Sequence, residues 1–191
     1  ASRDPANHLL HCARVRRIPA EGIRAALLAT AGVIDRKPFG PSVPVHITDF
    51  MRHNRSPDAS GPIDGERRRS VYIEYRRNGL NHFLTAFDKP LPSTTIGQRH
   101  QSNSAAQPLM LLNDPLVHEL TQTWANRLAD AFDDDAAAIE AAYQAAYGRL
   151  PVEAEQNAIL TFLQQRPDKR LEAWSDVCLA LINNKEFIFL R

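Results

Sequence analysis

The stretch DPLVHELTQTWANRLADAF, residues 114–132, decides the fold. Leu116, Leu120, Trp124, Leu128 and Phe132 recur every fourth residue, which lines one face of an α-helix. Asp114 offers an N-cap oxygen, and Pro115 has a φ already set for the first helical turn. Asp133–Asp135 close this helix and cap a second, whose apolar stripe Ile139, Ala142, Tyr143, Ala146 and Tyr147 stops at Gly148. A third helix after Pro151 turns Ile159, Leu160 and Leu163 inward. A fourth carries Leu171, Trp174, Cys178, Leu181 and Ile182. Four amphipathic helices on short turns predict a bundle over 114–191.

The sequence is less regular upstream. Residues 105–113 predict an apolar helix stopping at Asn113, and Asn78 to Phe87 a short one. Asp4 to Arg17 has an N-cap at Asp4 and Pro5 at the first helical position. Pro19 to Val33 places Ile23, Leu27 and Leu28 on one side, with Glu21 in the first turn. Between 36 and 66 the prolines and glycines, among them Pro38, Gly40, Pro41, Pro44, Gly61 and Gly65, mark a long loop, and such loops are often functional. A second polar loop spans Ser93 to Ser104. Val71 to Tyr75, β-branched and aromatic with arginines at both ends, is the expected strand. The expected class is mainly α. A helical, loop-rich part with a minor β component over 1–113 precedes the four-helix bundle, as two parts or one continuous domain.

At 191 residues the chain can bury a real core, and 43% apolar with 24% charged residues excludes a disordered or collagenous chain. No apolar run approaches the roughly 20 residues of a membrane helix. Residues 1–100 hold 16 basic and 9 acidic residues, residues 101–191 hold 7 and 13, and mutual attraction of the halves is the expected use of that asymmetry. Cys12 and Cys178 form no CxxC or CxxCH pattern, which excludes the usual sequence signatures of a zinc ribbon and of covalent haem attachment within this chain. Cys178 reads as a buried thiol, and a Cys12–Cys178 disulfide in an oxidising compartment is the other reading. The start Ala1-Ser2-Arg3-Asp4-Pro5, with no initiator Met or signal core, leads us to expect a piece of a longer polypeptide.

Several segments fall in a recognisable order: Pro41-Ser42-Val43-Pro44-Val45, Arg68-Arg69-Ser70-Val71-Tyr72, Phe87-Asp88 with Pro90, and Arg99 with Ser102. After them come Leu112-Asn113-Asp114-Pro115, Tyr147-Gly148-Arg149 with Pro151 and Glu155, and Asn184-Lys185-Glu186-Phe187-Ile188. Together they resemble the C-terminal domain of planctomycete-type cytochrome-associated proteins, a domain of unknown function, over nearly the whole chain. The resemblance implies an exported parent, periplasmic or at the cell surface, in which a cytochrome c-like domain precedes this one. Haem c would belong to that part, and no cofactor to this chain. Val152 departs from the pattern, since a hydroxyl residue there would form a capping box with Glu155.

Constellations for chemistry are sparse. His118-Glu119 begins a zinc-protease motif, but Gln122 stands where the second histidine belongs. His8, His11 and Cys12 share a helical face without a further ligand in view. Ser42, Ser70 and Ser102 sit in no nucleophile elbow. His46 with Asp49, and His82 with Asp88, are acid–base pairs only by sequence proximity. The strongest charge feature is Arg67-Arg68-Arg69 with Arg76 and Arg77 around Tyr72 and Tyr75. Arginines flanking an edge strand and binding Asp88 or Asp114 explain it better than nucleic-acid binding does. Arg68, Arg69, Tyr72, Asp88, Arg99, Ser102, Gln107, Asn113 and Asp114 are the candidates for a polar network that orders the loops or lines a ligand cleft. Two functions stand. One is a non-catalytic accessory module contacting other parent domains, a protein or a glycan. The alternative is an enzyme domain acting on carbohydrate, with its site in 38–114.

Overall fold

A computed structural model describes residues 8–9, 15–48, 51 and 60–190. The chain is mainly α; the described residues are 56% helical and hold a single two-stranded sheet. The helices are α1 (Ala20–Thr30), α2 (His82–Ala86), α3 (Ala106–Asn113), α4 (Pro115–Ala131), α5 (Asp135–Tyr147), α6 (Glu153–Gln164), α7 (Arg170–Asn183) and α8 (Lys185–Ile188).

The bundle forms as the periodicity predicts. Leu116, Leu120, Trp124 and Leu128 of α4 are buried, and α4 packs chiefly against α7, where Trp174, Cys178 and Ile182 are buried. Asp114 and Asp134 cap α4 and α5 through the N–H groups of Leu116 and Ala137, at 2.9 and 3.1 Å. Gly148, at φ 71°, ends α5 in the left-handed conformation that a side chain would oppose. Trp174 lies fully buried, and its indole N–H donates to Asp135 Oδ1 at 3.2 Å, so its one polar atom is satisfied. Leu171 departs from the expected inward stripe. It stands in the first turn of α7 and is 49% exposed.

One buried cluster joins α1 to this bundle through Ile23, Leu27 and Leu28, together with Phe83, Leu84 and Phe87 from the α2 region. A smaller cluster of Val45, Ile47 and Ile73 holds the loop segments.

Two expectations upstream are corrected. Most of the helix expected over Asp4–Arg17 lies outside the described residues, but Arg16–Arg17 is extended. It forms β1 and pairs antiparallel with β2, Phe189–Leu190, a long-range partner that local periodicity cannot register. The strand expected at Val71–Tyr75 is instead a 3-10 turn, Ser70–Tyr72, followed by an isolated bridge between Val43 and Ile73. Its partner explains why. Val43 donates to Tyr72 O and accepts from Glu74 N, but Pro41, in the same register two residues earlier, has no N–H to extend a ladder, and Val45 O accepts from Gly61 N instead.

Candidate functional site

Two arginine-centred clusters organise the loops. The first begins with Arg24, which occupies the fourth-residue register of the buried face Ala20, Ile23, Arg24, Leu27 and Leu28. Its guanidinium, 1% exposed as a residue, donates to the carbonyls of Arg68 (2.7 Å) and Asp64. Burial lowers its pKa to about 10, against the opposing pull of Asp64, so it stays charged at neutral pH. Gly65, at φ 57°, sits against this guanidinium; a β-carbon there would lie 2.7 Å from Arg24 Nη2.

Arg68 extends from this anchor and donates to the carbonyls of Pro41 (2.8 Å) and Phe39, while its guanidinium stacks 3.8 Å from the Tyr72 ring centre. The Phe39 N–H in turn donates to the Tyr72 hydroxyl at 2.9 Å. That hydrogen bond, with help from Arg69 and Arg68 and against desolvation, lowers the Tyr72 pKa. Phe39 is thus gripped at both backbone groups in a left-handed conformation, φ 63°, with its ring 82% exposed. A β-carbon makes that conformation costly, so it persists only because its surroundings enforce it.

The second cluster centres on Asp88. The N–H groups of Asp88 and Lys89 donate to Thr85 O and Leu84 O, a Schellman closure of α2 that puts Asp88 at φ 64°, where glycine is usual. Its carboxylate accepts from Arg17 Nη2 (2.6 Å), Ser102 N (2.8 Å) and Ser102 Oγ (2.8 Å). Arg17 also donates to Ser102 O and Phe87 O, and Gln107 Nε2 to Ser102 Oγ (3.1 Å) and Ala86 O (3.2 Å). Burial opposes ionisation of Asp88, but the hydrogen bonds from Arg17 and Ser102 outweigh it and hold its carboxyl below the ordinary range.

The sequence candidates therefore divide. Arg68, Arg69 and Tyr72 share the first cluster, and Asp88, Ser102 and Gln107 the second. Arg99 pairs with Glu21 at the surface (2.9 Å), and Asn113 caps locally onto Leu109 O. Asp114 accepts from Leu116 N and lies 2.9 Å from His82 Nε2, so His82 partners Asp114 and not Asp88. Within the arginine run Arg68 binds backbone carbonyls and Arg67 pairs with Asp64, and neither Asp88 nor Asp114 takes a hydrogen bond from it. Arg17 and Arg24 are not among the sequence candidates, and His82 is one only beside Asp88. Only Arg24 had a local signal, its place on the apolar face of α1.

Ion pairs such as Arg99–Glu21, Arg170–Asp135 and Arg149–Glu155 each stay within one half of the chain, and the His82–Asp114 hydrogen bond crosses between halves. Asp49, His11 and Cys12 lie outside the described residues, while Cys178 is a buried free thiol whose pKa burial raises. Among the described residues no three His, Cys, Asp or Glu side chains form a metal-binding group, and no helix is long and apolar enough to cross a membrane.

The surface carries several cavities. A polar one of about 380 Å³ includes His118, Gln122, Glu172 and Asp176, and an apolar one of about 520 Å³ includes Tyr143, Ile159, Phe162 and Leu181. A third of about 470 Å³ has Arg36 and Arg69 beside Ala25, Ala26, Ala29 and Ile34; a fourth lies around Pro167. Of the sequence candidates, only Arg69 lines any of these four.

The model of the family PSD1, protein of unknown function (DUF1553), matches residues 1–163. The chain belongs to this family. No curated protein and no solved structure matches it. In this PSD1 chain the matched span covers both arginine clusters and runs to Leu163 in α6. Arg149 of the Tyr147-Gly148-Arg149 segment forks onto Glu155 (2.8 and 2.9 Å) and Glu186 (2.7 and 2.8 Å), tying α6 to α8.

Proposed function

We propose that the chain is a non-catalytic accessory module, the C-terminal part of a larger exported, cytochrome c-associated polypeptide, that works by contact through its loop face. The observation that carries this reading is the Phe39 clamp. Arg68 and Tyr72 hold a strained backbone in place, and what that strain displays is an exposed aromatic ring. Polar groups that a catalytic cleft would need free are engaged internally, Arg68 by loop carbonyls and Asp88 by Arg17 and Ser102. Export and the haem-bearing parent rest on the order of sequence segments.

Hydrogen exchange compares this chain alone with the longer polypeptide that carries it. Slower exchange at 37–41 and 69–72 in the longer polypeptide is the expected result. Hydrolysis of chromogenic glycosides by the chain, lost in a folded Asp88→Asn variant, would overturn the reading in favour of a carbohydrate-active site.

A further inference from the structure

Once internal contacts are assigned, the loop face keeps cationic groups that its own acids do not answer. Asp35 accepts from the Lys37 N–H, Asp64 from the Glu66 N–H and the Arg67 side chain, and Glu74 from Arg76. Among the described residues Arg36 and Arg69 form no ion pair, and both line the cavity floored by Ala25, Ala26, Ala29 and Ile34. The segments are held in register, since Asp35 N donates to Arg67 O at 2.8 Å and Phe39 N to Tyr72. Val71, 77% exposed, sits on the same 3-10 turn as Tyr72.

We propose that this face, with Arg36 and Arg69 as charges and Phe39 and Val71 as apolar contacts, docks an acidic polypeptide segment that also carries apolar side chains. The inference rests on the interaction-module reading and adds the chemistry of the partner. Guanidinium groups match carboxylates bidentately, and exposed aromatics beside arginine are what protein interfaces concentrate. Single-stranded nucleic acid fits less well, because it stacks successive bases on several open aromatic faces. Of Phe39, Tyr72 and Tyr75, only Phe39 has no cation over its ring among the described residues. Here the Tyr72 ring lies under Arg68 and Arg69, at 3.8 and 5.6 Å, and the Tyr75 ring under Lys89 at 4.2 Å.

The test titrates the chain with a terminally blocked peptide, Leu-Glu-Glu-Phe-Glu-Glu-Leu, and with its Gln-for-Glu counterpart, following backbone amide shifts by NMR. The acidic peptide is expected to move the amides of 36–40 and 69–72, and the Gln peptide to bind about tenfold more weakly. Arg36→Glu should weaken binding by a similar factor, roughly tenfold. Phe39→Gly should abolish binding while melting at or above the wild-type temperature, since glycine accepts φ 63° without strain. Equal binding of both peptides, or no effect of Arg36→Glu, overturns the proposal. So does movement of the same amides only by oligo-dT or by phosphatidylserine vesicles. If no peptide binds while 37–41 is protected in the longer polypeptide, the acidic chemistry falls and the module reading stands.

Discussion

Replacing Asp88 by glycine sets two effects against each other. Glycine relieves the left-handed φ of 64°, a gain of about 1 kcal/mol, but removes the carboxylate that answers Arg17. Arg17 is a buried side chain, and removing one partner from a buried ion pair costs about 3–5 kcal/mol. The carbonyls of Phe87 and Ser102 still accept from Arg17, and Asp88 keeps partial exposure, which reduces the loss to about 3 kcal/mol. The net expectation is a chain about 2 kcal/mol less stable than wild type at pH 7. Asp88→Asn tolerates the backbone and keeps one acceptor, so it should cost about 1–2 kcal/mol.

Urea unfolding followed by circular dichroism measures both variants. The folded-state pKa of Asp88 is depressed. Its stabilisation is therefore complete above the unfolded carboxyl pKa and is lost as pH falls through the folded one. The gap between wild type and either variant should close as pH drops through that window. Asp88→Gly as stable as wild type at pH 7, or a gap that ignores pH, would refute the reasoning.

Two further outcomes concern the bundle. Glu155 already accepts from the Val152 N–H at 2.8 Å, half of a capping box, so Val152→Ser should complete it and add about 0.5–1 kcal/mol in thermal or urea unfolding. The Arg149 fork holds the Glu155 carboxyl down to about 2. In Arg149→Met, carboxyl NMR should find Glu155 titrating back toward the ordinary range. Because that pKa is depressed in the folded state, the clamp's contribution is present above the unfolded carboxyl pKa and fades only as pH falls toward about 2.

The bundle was legible because its determinants are local. Asp114, Asp134 and Gly148 act on the backbone within a few residues, and a four-residue apolar repeat reports burial directly. The clusters were legible only in part, because their bonds join distant positions. Arg17 meets Ser102 across 85 residues and Arg24 meets Arg68 across 44. Asp88 and Ser102 stand in the ordered segments, but the expected helix over Asp4–Arg17 hides Arg17, the cation that binds Asp88. The β-branched residues at 71–75 carry a real local preference for a strand, and the facing segment overrides it, with Pro41 lacking the next N–H and Val45 bonded to Gly61. Arg24 was readable. An arginine on the apolar face of α1 has to find buried acceptors, and the loop carbonyls of Asp64 and Arg68 supply them.

The claim that an arginine–tyrosine clamp presents Phe39 is tested most directly at the Phe39 amide, by hydrogen exchange in wild type and in Tyr72→Phe. The clamp predicts a protected amide in wild type, with exchange at least about tenfold faster once the hydroxyl acceptor is gone. A Phe39 amide that exchanges at the unprotected rate in wild type, or one that Tyr72→Phe leaves unchanged, would contradict it.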